Sequence, residues 1–170
     1  LKDPNYQETP RRVSSYLLEK FIDPEEFELA VEDFQESVFP ATSQDMVIMQ
    51  DVEAHGICPH HLLPIRYSVD LAYIPQGNWI GLSKLARITQ LCLQQPITQE
   101  AGTMLVADTL ENVLKTEHVA VKVTGWHSCM AIRGVRASAH TATSHLRGTF
   151  KDKPEVRSEF LTLTRTKSNL

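Results

Sequence analysis

The chain has 170 residues, of which 42% are hydrophobic and 22% are charged, and this composition suits one folded domain with a hydrophobic core. The formal net charge of −4 gives no reason to expect nucleic-acid binding, and no apolar run is long enough to predict a transmembrane helix. Three cysteines do not suit a disulfide framework, so we expect reduced thiols in a cytoplasmic protein.

The first 45 residues are predicted to form an N-terminal helical region. Thr9 is expected to cap a helix whose first residue is Pro10 and which runs to about Phe21. A second, acidic helix is predicted to start within residues 23–26. We place a boundary after residue 45 and predict that residues 46–170 form a single globular unit.

The second region has clear strand and helix patterns. Strands are predicted over residues 46–53, 65–75, 119–126 and 139–146. Between the second and third strands we expect one helix capped by Ser83 and ended by Pro96, and another capped by Thr98. A last helix begins at Pro154 and runs to about Leu163. The ββααββ order predicts an α+β domain with a four-stranded sheet, whose edges and faces we expect other subunits to cover.

Residues 55–64 contain three histidines and a cysteine. Cys58 and His61 lie three residues apart, and thiolate and imidazole are ligands that Zn²⁺ prefers, so both can bind one ion from a single turn. Cys129, which follows His127 and Ser128, is the obvious distant third ligand. Three protein ligands leave a coordination position for water, which is typical of a catalytic zinc ion. Taken singly, each cysteine is more often a core residue than a ligand.

Several other candidate residues have ordinary structural explanations. Cys92 lies on the apolar face of a predicted helix and is interpreted as a small buried hydrophobic residue. Glu100, near the start of a helix, can simply complement the helix dipole. Lys84, Arg87 and Arg133 can be solvated surface charges, as most single charges are. The residue types and their spacing leave these alternatives open.

A series of ordered blocks makes the chain recognisable. The blocks are residues 8–13, 58–64, 72–75, 81–88, 99–100, 127–130, 133–135, 143–144, 148 and 159–161. With these blocks the chain resembles the GTP cyclohydrolase I family, the zinc-dependent type IA enzymes that open pterin biosynthesis, from about Gln7 through Arg165. So many blocks at family-like spacing are far more specific than any one motif.

The resemblance implies a fold, an assembly and a reaction. The fold is the tunnelling fold, in which a ββααββ subunit has an antiparallel sheet with helices on one side. The assembly is a homodecamer of two stacked pentameric rings, with active sites at subunit interfaces. The reaction is zinc-dependent hydrolysis of GTP at C8, with release of formate and ring closure to 7,8-dihydroneopterin triphosphate. Neither a nucleic acid nor a membrane is an expected partner.

The resemblance also implies roles at the metal. It assigns Cys58, His61 and Cys129 as the zinc ligands, the same three residues that ligand chemistry indicates. His127 matches the general acid that protonates N7 of guanine, because C8 is a poor electrophile until N7 carries a proton. His60 is expected to act beside the metal as a second proton carrier.

Substrate-binding residues are implied in the same way. Glu100 can accept hydrogen bonds from guanine N1–H and the exocyclic amine, and backbone near Gln99 is expected to complete the base pocket. Ser83 matches a serine near the ribose and phosphate, where a hydroxyl can relay a proton. The implied triphosphate site is cationic and comprises Lys84, Arg87, Arg133 and, from a neighbouring subunit, Arg12.

Three departures from the family pattern surround the implied site. Pro59 stands where the family usually has Glu, Ser15 where a Lys is common, and residues 67–68 read Tyr-Ser where Gly-Lys is frequent. We expect these departures to affect triphosphate affinity and subunit contacts rather than the chemistry. The alternatives are a catalytically altered homologue that binds a purine nucleotide, and a tunnelling-fold nitrile reductase that uses a cysteine nucleophile and NADPH.

Overall fold

The structure is a computed structural model that describes residues 3–165. Its helices are α1 (Thr9–Leu18), α2 (Pro24–Gln35), α3 (Leu82–Leu93), α4 (Gln99–Leu114), α5 (Ser128–Ala131), α6 (Thr149–Asp152) and α7 (Pro154–Leu163), after a 3₁₀ turn at Pro4–Tyr6. Its strands are β1 (Val38–Pro40), β2 (Val47–Ile57), β3 (Pro64–Tyr73), β4 (Asn78–Ile80), β5 (Val119–His127) and β6 (His140–Leu146). None of the described helices is both long enough and apolar enough to cross a bilayer. The outer ends of the two predicted regions, residues 1–2 and 166–170, lie outside the described part of the chain.

Four strands form the central sheet in the order β2-β3-β5-β6, and every neighbouring pair is antiparallel. With α3 and α4 between the two strand pairs in sequence, the predicted α+β class and ββααββ order are confirmed. The register pairs Ile65 of β3 with Gly56 on one side and with His127 on the other. The end of β2, the start of β3 and the end of β5 therefore lie side by side.

The helical hairpin of α3 and α4 covers one face of the sheet. Side chains alternate along a strand, and in β3 the positions Ile65, Tyr67 and Val69 belong to the core beneath this hairpin. From the helices, Leu85 and Leu110 are completely buried against them. Each such leucine contributes about 1.5–3 kcal/mol by leaving water. This core holds the hairpin, and with it the first turn of α4, in a fixed position over the sheet.

On the opposite face of the sheet, residues 3–165 provide a packed cluster at one end. Phe150 of α6 and Phe160 of α7 pack against Ala72 and Ala120. The two phenyl rings meet edge to face, with centroids 5.8 Å apart. The larger helices thus lie on one side of the sheet, as expected, while two short C-terminal helices cover part of the other.

The helix α1 differs from its prediction at both ends. Thr9 is its first residue and not its cap, because Glu8 occupies the N-cap position, although its side chain accepts no hydrogen bond from the backbone of the helix. The helix ends at Leu18 and not at about Phe21. None of its residues is buried, and a short helix gains little from backbone propensity alone, so nothing in the described chain supports another turn.

The helix α2 is present where an acidic helix was predicted. Asp23 caps it by accepting a hydrogen bond from the N–H of Glu25 at 2.8 Å. Val31 and Phe34 are buried in the same cluster as the α3–α4 hairpin and the sheet. The division of the chain after residue 45 stays a prediction.

Of the two N-caps predicted for the α3–α4 hairpin, one is correct and one is wrong. Thr98 caps α4, and its hydroxyl accepts a hydrogen bond from the N–H of Ala101. The predicted cap of α3 is wrong, because α3 begins at Leu82 after Gly81 and Ser83 already lies in the first turn.

The first long strand extends further than predicted. β2 continues through Ile57 and not only to residue 53, because Gly56 and Ile57 still pair with the start of β3. The histidine- and cysteine-rich loop is correspondingly shorter and begins at Cys58. A bulge lies between Met49 and Val52. The small β1–β4 sheet was not predicted from the sequence.

Candidate metal and catalytic site

A tight turn after β2 brings two candidate ligands together. The carbonyl of Cys58 accepts hydrogen bonds from the N–H groups of His61 and Leu62, and its own N–H donates to the carbonyl of Leu63 at 2.9 Å. Leu62 takes a left-handed conformation with φ of 54°, which allows the chain to reverse. The Sγ of Cys58 consequently lies 3.5 Å from Nδ1 of His61.

The third candidate ligand arrives from the end of β5. Ser128 donates a hydrogen bond from its hydroxyl to the carbonyl of Pro64, which fastens this end of β5 to the start of β3. Cys129 follows in the short helix α5. The ligand atoms of Cys58, His61 and Cys129 all lie within 4.8 Å of one another.

The donor set of this cluster fits a metal ion. Cys58 is 4% exposed and Cys129 is 9% exposed, so both thiols lie at the base of the site. Burial and the nearby Cys58 raise the pKa of the Cys129 thiol. A bound divalent cation would offset the repulsion between two thiolates this close together. Two sulfur donors and one imidazole are typical of zinc sites that keep an open position.

A cavity of about 320 Å³ opens beside this cluster. Besides the three candidate ligands, His60, Gln99, Glu100 and His127 line it. Gln99 and Glu100 come from the first turn of α4, which the hairpin core holds over the end of the sheet. The structure therefore brings together the implied metal ligands, both proton carriers and the implied base-binding residues.

His127 is the most constrained of the proton carriers. Its Nε2 lies 2.8 Å from Oε1 of Gln99, and its ring meets that of Tyr67 edge to face with centroids 6.2 Å apart. Burial lowers the pKa of His127, while the charge of Glu100 acts in the opposite direction. Glu100 and His127 line the same cavity.

His60 occupies a more open position than His127. It is exposed, and its Nδ1 lies 3.7 Å from the Sγ of Cys58. The ring of His61 meets it at 6.2 Å between centroids. A histidine that is solvated and adjacent to the thiol cluster can exchange protons with water.

The side chain of Gln99 is not free to bind a ligand. It is 3% exposed, and its amide nitrogen donates to the carbonyls of Val123 and Thr141 and to the hydroxyl of Thr143. With its oxygen on His127, every polar atom of the amide has a partner. Only the backbone of Gln99 can contact a base in the cavity.

The implied triphosphate residues are not gathered at this cavity within one chain. Ser83 and Lys84 lie at the start of α3, and this helix of 12 residues rises about 18 Å before the chain turns into α4. Lys84 instead pairs with Asp33 of α2 at 3.0 Å. None of the implied residues Ser83, Lys84, Arg87, Arg133 and Arg12 is among the residues that line the cavity.

Arg133 and Arg12 differ in their relation to the site. Arg133 is exposed just beyond α5, and its charge lowers the pKa of Cys129 against the larger effect of burial, so it lies near the metal cluster. Arg12 is exposed on α1, none of whose residues is buried. The chain alone thus holds the metal and base parts of the implied site.

Tyr67 is a neighbour of the site whose position the sequence did not reveal. It is 1% exposed and packs between the backbone positions of Gly56 and Gly125 on the flanking strands. Its hydroxyl has no hydrogen-bond partner in the described residues. The only signal was that Tyr-Ser stands at residues 67–68 where the family often has Gly-Lys.

The fold and the site together define a class of protein. An α+β subunit with a Cys-His-Cys cluster, and with histidines and a carboxylate at the same cavity, is a metalloenzyme architecture.

Comparison with known proteins identifies the family. The sequence model of the family described as GTP cyclohydrolase I matches residues 1–165, and the chain belongs to this family. It is 37% identical over 163 residues to GTP cyclohydrolase 1 2 of a Nostoc species, covering 95% of this chain and 74% of that protein. It is 39% identical over 159 residues to GTP cyclohydrolase 1 of Deinococcus radiodurans, covering 91% and 71%.

Two further matches complete the comparison. GTP cyclohydrolase 1 of Methylococcus capsulatus is 36% identical over 157 residues, covering 92% of this chain and 84% of that protein. Among solved structures, the apo form of the archaeosine synthase QueF-Like covers 61% of this chain and 95% of its own, with a TM-score of 0.49 and 14% identity. The resemblance stated from the sequence is confirmed by the family match, and with it the assignment to the GTP cyclohydrolase I hydrolases.

Proposed function

We propose that this chain hydrolyses GTP at C8 with Zn²⁺ held by Cys58, His61 and Cys129, and closes the product to 7,8-dihydroneopterin triphosphate. The observation that supports this most directly is the shared cavity. One space contains the three-ligand cluster, His127 and Glu100. When bound by three such ligands, Zn²⁺ acts as a Lewis acid and lowers the pKa of a coordinated water to about 7.

Glu100 is proposed to recognise the guanine base. Its carboxylate is exposed at the first turn of α4, and it lies close enough to His127 to influence the pKa of that imidazole. A carboxylate accepts hydrogen bonds from both N1–H and the exocyclic amine of guanine, whereas N1 of adenine is itself an acceptor. Backbone N–H groups in the same turn have no partner within the helix and can bind the base edge beside Gln99.

His127 is proposed as the acid that protonates N7, with His60 as a second proton carrier. Proton transfer from a positioned imidazole makes C8 electrophilic and is worth roughly 10²–10⁴ in rate. The half-buried, hydrogen-bonded ring of His127 suits a fixed donor. The exposed ring of His60 suits exchange with solvent.

The triphosphate and ribose are proposed to be bound by a second copy of the chain. Ser83 and Lys84 lie at the start of α3, a helix of 12 residues that rises about 18 Å towards the loop before α4, and neither residue lines the cavity that contains Glu100. A homodecamer of two pentameric rings, with sites at subunit interfaces, would bring the two ends together. In that assembly Ser83 relays a proton at the ribose, while the cationic cradle comprises Lys84, Arg87, Arg133 and Arg12.

The proposed compartment is the cytoplasm. All three cysteines are free thiols, and two of them are the proposed metal ligands. A reducing compartment keeps such thiols available, since oxidation to a disulfide would remove both sulfur ligands.

Incubation of zinc-loaded protein with GTP tests the proposal. We expect formate and an oxidisable, fluorescent pterin in equal amounts, and loss of both after treatment with a chelator. Formate without pterin would mean that the ring opens but the ribose does not rearrange. The residues proposed to bind the ribose and phosphates would then be the ones that do not function as proposed. If zinc-loaded protein forms neither formate nor pterin, the proposal is rejected in favour of a purine-binding homologue. NADPH oxidation with a nitrile substrate would indicate the reductase.

A further inference from the structure

The amide of Gln99 is oriented by groups that can only accept hydrogen bonds. Its nitrogen lies 3.1 Å from the carbonyl oxygen of Val123 and 2.9 Å from that of Thr141. A carbonyl cannot donate, so the NH₂ end of the amide must face these two strands. The oxygen end therefore faces His127, at 2.8 Å from Nε2.

This orientation settles which nitrogen of the imidazole bears the proton. An amide oxygen only accepts, so Nε2 of His127 must donate its proton to Oε1 of Gln99. In the neutral ring the other nitrogen, Nδ1, is then the acceptor. Within residues 3–165, no group forms a hydrogen bond with Nδ1 of His127.

The surroundings of Gln99 leave the amide little freedom to turn over. Thr103 donates from its hydroxyl to the backbone carbonyl of Gln99 at 2.7 Å. The hydrogen bond of 2.6 Å between the hydroxyls of Thr103 and Thr143 is then donated by Thr143, so the Thr143 oxygen accepts from the amide nitrogen of Gln99. On the other side, a methyl group at Gly125 would clash with Oε1 of Gln99 and come within 3.1 Å of Nε2 of His127. The absence of a side chain at Gly125 is what allows the amide to reach the imidazole.

We propose that Gln99 is a positioning residue that fixes His127 as the Nε2–H tautomer, so that Nδ1 is the nitrogen presented for proton exchange with the base in the cavity. This rests on the proposed function of His127. Nδ1 first takes up a proton, which gives an imidazolium with N–H on both nitrogens. The imidazolium then gives its Nδ1 proton to N7, and the neutral ring that remains keeps its Nε2 proton on Gln99. The side chain of Gln99 serves the reaction without touching the substrate.

The tautomer can be read directly by long-range ¹⁵N–¹H correlation in protein labelled with ¹⁵N-histidine. The His127 signals are assigned by their loss in His127→Ala. In zinc-loaded wild-type protein we expect the Nε2–H pattern for His127. In Gln99→Met, which keeps the length of the side chain and removes the acceptor, we expect a mixture of both tautomers.

Kinetics provide the second readout. Residues that orient a metal-binding imidazole through a hydrogen bond affect activity by roughly 10–100-fold, and by analogy we expect kcat of Gln99→Met to fall by that order while KM for GTP changes much less. Thr143→Val is the matched control, because it removes one acceptor from the amide nitrogen and leaves both carbonyls in place. Its tautomer and kcat should match the wild type. Gly125→Ala should displace Oε1 of Gln99 while Gln99 itself is unchanged. If Gln99→Met does not fold, Gly125→Ala is measured in its place.

The outcomes separate this inference from the proposed function. An Nδ1–H pattern in the wild type overturns the inference whether or not the protein forms the pterin. An unchanged tautomer and kcat in both Gln99→Met and Gly125→Ala overturns it as well. If the wild type shows Nε2–H but forms neither formate nor pterin, the tautomer assignment stands and the proposed function fails.

Discussion

At the scale of single residues, Tyr67 is unusual because its polar atom is buried without a partner. Its ring fills the space left by glycines on both neighbouring strands and supports the edge of His127. Burial raises the pKa of the Tyr67 phenol far above its ordinary value, with smaller contributions from Cys58 and Glu100. The hydroxyl is therefore always protonated, and its desolvation is not offset by a hydrogen bond within the described chain.

Tyr67→Phe is expected to stabilise the protein. Removing an unsatisfied buried hydroxyl removes a desolvation cost of roughly 1–3 kcal/mol while the ring keeps its packing. For a chain of this size the melting temperature should rise by about 2–4 °C for each kcal/mol. Tyr73→Phe is the matched control, since the residue is as buried as Tyr67 and the backbone of Ile80 acts to lower the pKa of its phenol against the larger effect of burial. Loss of this favourable interaction should lower the melting temperature. A lower melting temperature for Tyr67→Phe would show that the hydroxyl has a partner in solution.

The two kinds of buried cysteine allow a second test at this scale. Cys129→Ala is expected to abolish stoichiometric zinc binding and activity together, because two ligands no longer enclose the ion. Cys92→Ala should bind zinc like the wild type, since burial raises the pKa of Cys92 to about 12 and its neighbour is Thr109. Zinc per chain is measured by atomic absorption after gel filtration. Full zinc content in Cys129→Ala would refute the ligand assignment.

At the scale of elements, the site depends on three chain segments that end at one place. β2 ends at Ile57, β5 ends at His127, and α4 begins at Gln99. β3 lies between the two strands and sets their register, while the core under the α3–α4 hairpin sets the position of α4. Displacement of any one of them would separate the ligands from the base-binding turn.

Periodicity predicted these elements because large apolar residues mark their buried faces. The α3–α4 hairpin and the four main strands were all recognisable in this way. The last part of β2 was missed because its alternating buried positions are Ala54 and Gly56, which give almost no hydrophobic signal, and the one large buried residue, Ile57, stands alone at the end. The metal cluster was predictable from its chemistry, whereas the role of the Gln99 amide was not. That role depends on carbonyls 24 and 42 residues away in sequence.

Substitution of Gly56 tests whether the α3–α4 hairpin must approach the sheet as closely as it does at this position. A methyl group there would clash with the backbone carbonyl of Leu93, the last residue of α3, and would lie 3.0 Å from the Tyr67 ring. A backbone carbonyl cannot rotate away as a flexible side chain can, so we expect Gly56→Ala to lower the free energy of unfolding by about 1–3 kcal/mol. The substitution should also raise KM for GTP, because it moves the turn before α4. Thermal melting and steady-state kinetics measure the two effects.

His55→Ala is the control for that substitution. His55 is an exposed neighbour on the same strand, so its replacement should change stability by less than about 0.5 kcal/mol. Equal destabilisation by both variants would mean that the strand, and not the contact with Leu93, is sensitive at this position.

At the scale of the whole molecule, the chain holds one half of the implied site. The cavity contains the proposed metal ligands and the proposed base-binding turn, while α3 begins at the other end of the hairpin with Ser83 and Lys84 near its start. β2 and β6 are the two edge strands of the central sheet and have no further strand partner within residues 3–165. Edges of this kind are available for pairing with other copies of the chain.

Subunit complementation tests whether two chains build each site. Glu100→Ala and Arg87→Ala should each be nearly inactive alone, because one lacks the base contact and the other a phosphate contact. Co-expressed, they should regain activity, since mixed assemblies contain sites that take Glu100 from one chain and Arg87 from another. Glu100→Ala with His127→Ala is the matched control, because both residues line the cavity of the same chain and every site inherits one defect. Recovery is measured as formate released per assembly after tandem affinity purification of mixed particles. Failure of the first pair, in particles shown by mass to contain both chains, would mean that each chain builds its whole site alone.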